Sequence, residues 1–130
     1  MSDPTAVTNV TLTDFNTEAL FAQTVATNEV VSTAEVFKIT PTKAGSKLLI
    51  GIVNGAVDQG AVAWSIAAGG LWGAGSAKTG SVAQGTTEII QIDTGKYIST
   101  AGTISLTLTP TTNKALKTNH VAAVYALELV

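Results

Sequence analysis

The chain has 130 residues, which gives room for one domain with a sizeable core but not for two. Charged residues make up 12%, about half the roughly 25% of an ordinary soluble domain, while hydrophobic residues make up 45% and mean hydropathy is +0.35. Cys and Arg are absent and the net charge is −2; this excludes a disulfide-stapled module, a Cys-ligated metal site and an intrinsically disordered chain, and it argues against a nucleic-acid binder.

Residues 1–17 are polar and Thr-rich and contain Pro4 and Asp14, so they read as an extended arm ahead of a single domain at 18–130. Neither a basic region nor an apolar stretch of signal-peptide type stands at the start, and no segment approaches the ~20 apolar residues that span a bilayer. The expectation is synthesis in a cytoplasm without export, and no membrane partner. Asp14 to Ala26 carries Phe15, Leu20 and Phe21 at helix-like spacing, but its threonines favour strand.

From there the chain alternates with period 2. Phe37 and Ile39 face one way and Val36, Lys38 and Thr40 the other, ahead of the breaker Pro41. Leu48 to Val53 is an unbroken apolar run, which predicts a central strand covered on both faces. Asn54-Gly55 and Asp58-Gln59-Gly60 are turn signals, and Val62, Trp64 and Ile66 then share a face. Ile89 to Ile92 predicts a further strand, closed by Asp93-Thr94-Gly95. Ile104, Leu106 and Leu108 alternate with Ser105, Thr107 and Thr109 up to Pro110 in the cleanest strand of the chain. Val121 to Val130 is long, nearly uncharged and strand-like. Seven or eight strands result, with helical periodicity weak throughout. The predicted fold is all-β: a single antiparallel β-sandwich, jelly-roll-like, with an extended N-terminal arm. Its predicted core comprises Phe37, Ile39, Leu49, Ile50, Ile52, Trp64, Ile66, Ile90, Ile92, Ile104, Leu106, Leu108, Tyr125 and Leu127.

Few residues offer chemistry. Gly73 to Gly80 superficially resembles a phosphate loop, but Ala77 stands where the required Gly precedes Lys78 and no helix follows. His120 is the only His, and no nucleophile elbow accompanies it. Glu88 and Asp93, an odd number apart on one strand, face opposite sides and form no acid/base pair there. The reading therefore contains no catalytic, metal or cofactor residue. Trp64 reads as core. Trp72, among Gly69, Gly70, Leu71 and Gly73, reads as a loop aromatic that contacts a partner subunit, stacks on a sugar or folds back on its own sheet. Candidate partner-contact residues are Leu12 and Phe15 in the arm and Leu71 and Trp72 in the loop.

Low charge with positive hydropathy, and no membrane segment to absorb the apolar excess, points to burial against copies of the same chain or another protein. The Thr-rich arm before Glu18, the loop Gly69–Gly85 and strands such as Thr103 to Thr109 resemble the accessory proteins of tailed-phage virions, especially capsid decoration proteins and related head or tail β-domains. That resemblance implies a non-enzymatic cement protein of the virion, a homo-oligomer with a trimer favoured, seated on a major capsid or other virion protein and fastened partly by its arm. The alternative is a carbohydrate-binding jelly-roll module, lectin-like or at a fibre tip.

Overall fold

Period-2 alternation obliges a strand to bury one face, and in this chain the buried faces of two sheets meet in one hydrophobic cluster. The computed structural model describes residues 4–12, 22–70 and 75–130. Its elements in chain order are β1 (Thr5–Ala6), β2 (Asn9–Leu12), β3 (Thr24–Val25), β4 (Glu35–Ile39), β5 (Lys47–Asn54), β6 (Val62–Ile66), β7 (Lys78–Val82), β8 (Thr86–Asp93), α1 (Thr94–Tyr97), β9 (Ile104–Thr109) and β10 (Ala122–Leu129).

One sheet, here sheet A, has the order β1-β4-β9-β6-β7; the other, sheet B, runs β2-β10-β5-β8, with β3 also paired to β10. The protein is all-β as expected, with ten strands among the described residues. The sheets are mixed rather than purely antiparallel. β1 runs parallel to β4 and β2 parallel to β10, because both short strands precede their partners by long connections instead of hairpins. Within the stretch read as an arm, Thr5–Ala6 thus extends sheet A and Asn9–Leu12 extends sheet B.

The inward residues are those that the alternation marks: Phe37 and Ile39 on β4, Ile104, Leu106 and Leu108 on β9, and Val62, Trp64 and Ile66 on β6. Facing them from sheet B are Leu48, Ile50 and Ile52 on β5, Ile90 and Ile92 on β8, and Val124 and Ala126 on β10. Three expected core residues do not belong to it. Leu49, Tyr125 and Leu127 are half-buried, on the opposite face of sheet B, since register pairs Leu127 with Leu49 and Tyr125 with Gly51 at positions one residue out of phase with the inward set. Leu48, absent from the expected core, is fully buried in place of Leu49.

Close packing fixes one glycine of sheet A. A Cβ on Gly80 would stand 2.5 Å from the Trp64 ring, so β7 lets the indole lie flat across it. Asp93, read as a turn former, caps α1: its carboxylate accepts from the Gly95 N–H, 2.9 Å, and the four-residue helix turns the chain towards sheet A.

Leu106 pairs with Phe37 on one side and Ile66 on the other and is fully buried. Leu106→Ala is expected to cost roughly 2–5 kcal/mol in urea unfolding. A loss under about 0.5 kcal/mol would place its side chain outside the core.

Candidate interaction face

The outward faces of the two sheets differ in chemistry. On sheet A, cross-strand rows read Thr79–Ser65–Thr107–Val36, then Ser81–Ala63–Thr109, then Ser105–Lys38–Ala6. Hydroxyls dominate this surface, and they account for how a chain with 16 charged residues presents a wettable exterior on one side.

Sheet B is apolar on its outward side. Its rows read Val25–Ala123–Val53–Thr87, then Tyr125–Gly51–Ile89, then Val10–Leu127–Leu49–Gln91, and finally Leu12–Leu129–Lys47–Asp93. Val25 is 55% exposed, Ile89 71%, and Val121, which sits over Gly55 beyond the first row, 56%. Charge appears only at the far row, where Lys47 and Asp93 are cross-strand neighbours. The Tyr125 ring lies along Gly51, where an added Cβ would stand 3.3 Å from Cδ2. Beside it Leu49, Thr87 and Ile89 complete a groove of about 290 Å³. Val25 and Val121 on one side and Ile89 on the other are exposed, and Leu49, Val53, Tyr125 and Leu127 between them are half-buried; an apolar sheet face of this kind is a usual mark of a protein–protein contact.

Of the four residues assigned to partner contact, Leu12 is half-buried at the end of β2, opposite Leu129, and its carbonyl accepts from the Val130 N–H, 3.0 Å. It belongs to the sheet B face. Phe15, Leu71 and Trp72 lie outside the described residues. The residues that the sequence reading missed are Val25, Leu49, Val53, Ile89 and Leu127. Their signal was present: an apolar run with no polar interruption, as at Leu48 to Val53, asks for cover on both faces, and the described residues cover one.

The buried carboxylates are occupied in holding strands together, while Asn9 Oδ1 and Trp64 Nε1 are buried without a hydrogen-bond partner among the described residues. Glu35, buried, accepts at Oε2 from the Thr5 hydroxyl, 2.6 Å, and at Oε1 from the backbone N–H groups of Thr27 and Asn28, 2.9 Å each. Glu128, fully buried, accepts from Asn9 Nδ2, 2.9 Å, from the Thr42 N–H, 2.8 Å, and from the Ser46 hydroxyl. One carboxylate therefore fastens β1 and the other fastens β2. Burial alone pushes the Glu128 carboxyl upward, but the hydrogen bonds from Ser46, Thr42 and Asn9 outweigh it and hold the group below its ordinary 4.5.

His120 is fully buried. Its Nε2 accepts from the Thr111 N–H, 3.2 Å, so the ring proton sits on Nδ1 and points at Asn54 Oδ1, also 3.2 Å away. Burial first, and Lys114 second, lower its pKa from 6.5. The imidazole is a neutral strut between the loop before β10 and the end of β5. Among the described residues no cluster of His, Asp and Glu could hold a metal ion, and Lys78 begins a strand rather than a helix.

The chain matches no protein-family model, no curated protein and no solved structure.

Both buried groups make stability depend on pH in the same direction. A folded-state pKa below the unfolded one means that the unfolded chain binds more protons in the interval between them, so stability rises with pH there. The His120 contribution is present above pH 6.5 and is lost as pH falls towards its lower folded value; the Glu128 contribution is present above 4.5 and is lost below that. Urea midpoints are expected to start falling just below pH 6.5 and to fall again below 4.5. His120→Gln is expected to abolish the first decline and leave the second.

Proposed function

We propose that this is a non-enzymatic structural protein that works by protein–protein association through the outward face of sheet B. The observation that carries the reading is the contrast between the two outer faces, hydroxylated on sheet A and apolar on sheet B. The setting proposed is the one that the resemblance implies: a decoration or cement protein of a virion, a homo-oligomer that docks on a major capsid or other virion protein. The absence of catalysis is supported by the use made of the candidate groups. His120, the one candidate with acid/base chemistry, spends both ring nitrogens on structural bonds, to the Thr111 N–H and to Asn54 Oδ1. The closure proposed is a two-sheet sandwich, supported by inward residues from both sheets in one cluster; its jelly-roll character rests on the number and spacing of strands read from the sequence.

The test is co-sedimentation with undecorated capsids of the phage that encodes the chain. Val25→Lys and Leu49→Lys, each checked for an unchanged β signal, are expected to weaken capsid binding at least tenfold, about 1.4 kcal/mol. Thr107→Lys on the sheet A face is expected to leave it unchanged. No binding by the unmodified protein removes the virion setting, and equal loss from Thr107→Lys removes the assignment of the face.

A further inference from the structure

Every open sheet has two edges, and an edge is a row of unpaired N–H and C=O groups that invites another strand. Natural sheets blunt their edges by shortness, Lys, Pro, bulges or a cover. In sheet A the edge strand β1 has two residues, and β7 has five, with Lys78 at its start and Gly80 in its middle. In sheet B the edge beside β10 is divided between the two residues of β3 and the four of β2. The other edge is β8. It has eight residues without Lys or Pro, with Glu88 its one charge in the inward phase, and it stays in unbroken register with β5 from Thr86 to Asp93, with no bulge. Among the described residues no strand pairs with its outer side. At its centre stands Ile89, the most exposed large apolar side chain described.

We infer that β8 is the seam between two copies of this chain, paired antiparallel with its own symmetry mate about a two-fold axis at Ile89. The inference rests on the proposed function only in taking association as the protein's work; it concerns the edge, not the face that meets a capsid. The two-fold places Ile89 opposite Ile89 of the second copy and Thr87 opposite Gln91. Inward, it places Ile90 opposite Glu88. Directly opposed residues share a face in an antiparallel pair, so the outward apolar surfaces of the two sheets become one continuous surface eight strands wide. No like charges stand directly opposite.

The area is adequate. β7 passes into β8 through a three-residue turn, 83–85, so both free edges lie on one side of the protein. An eight-residue edge is ~26 Å long, and two sheets ~10 Å apart present a side ~20 Å across. That is on the order of 500 Å² per copy and about 1,000 Å² in total, the lower bound for a specific interface. The occupant is a second copy because an isologous two-fold brings the same apolar residue to itself and needs no other sequence. The result is a dimer, in place of the trimer that the resemblance favours.

The chain has no Cys, which makes the test direct. Directly opposed positions are within disulfide reach. Under mild oxidation Ile89→Cys is expected to cross-link at least tenfold faster than Val25→Cys, a similarly exposed residue on the far edge of the same sheet. Thr87→Cys is expected to cross-link with Gln91→Cys and not with itself. By light scattering the unmodified protein is expected to be a dimer and Ile89→Lys, with its β signal retained, a monomer. Equal cross-linking of Ile89→Cys and Val25→Cys overturns the inference, as does an unmodified protein that stays monomeric at the highest soluble concentration. A monomer that still binds capsids through the sheet B face overturns this inference alone; a β8-linked dimer that binds no capsid overturns the virion reading alone.

Discussion

Hydrogen bonding at sheet borders is the constraint around which this protein is organised. Each strand that ends a sheet leaves backbone donors and acceptors without partners, and these must go to water, to another strand or to a side chain. On one side of the protein the chain supplies its own answer. Residues 5–6 pair with β4, while residues 9–12 and 24–25 divide the outer edge of β10 between them. The buried carboxylates of Glu35 and Glu128 fasten these short pieces, which have too few ladder bonds to hold themselves. A buried carboxylate with several donors is a strong anchor, because losing one donor leaves a charged acceptor short of partners in a dry place.

The same economy explains how a chain so poor in charge holds polar groups inside. None of the three buried ionisable groups, Glu35, Glu128 and His120, is neutralised by a salt bridge among the described residues, and each meets hydroxyls, amides or backbone N–H groups instead. Such bonds are short-ranged and directional. They fix register across sheets more firmly than they would attract at a distance, and added salt screens them little. The one ion pair described, Lys117 with Glu29, is exposed on both sides and contributes little to stability.

How much of this could be read from the chain depended on whether polar residues marked phase. Ile104, Leu106 and Leu108 are separated by Ser and Thr, and their inward face was legible. Leu48 to Val53 carries no polar marker, so its strand was legible but not which alternate residues face in. Only the pairing of Leu49 with Leu127, decided by partners far along the chain, sets that phase. Distance also hid the polar anchors. Asn9 meets Glu128 across 119 residues, and no local pattern announces such a bond. Asn54 shows the converse error: beside Gly55 it resembles a turn, yet it is buried and binds the Gly60 and Val82 carbonyls and the His120 ring. The apolar outer face of sheet B was legible in the unbroken run Leu48 to Val53 and as a surplus of hydrophobic residues over what one core can hold.

The position of β10 has a kinetic consequence. It lies between β5 and the pair β2 and β3, yet it follows all three in the chain. While a nascent chain lengthens, β2 and β3 have no neighbour in sheet B to pair with, and that side of the sheet cannot begin as a local hairpin and grow outward. Sheet A has a seed in the β6–β7 hairpin; sheet B has none except β5 with β8. Closure of the second sheet must then be a late, nearly all-or-none event governed by long loop closures, in the slow regime of non-local β topologies. Until it occurs, β5 lacks its neighbour on the β10 side, and its unpaired edge and outward apolar face are open to aggregation.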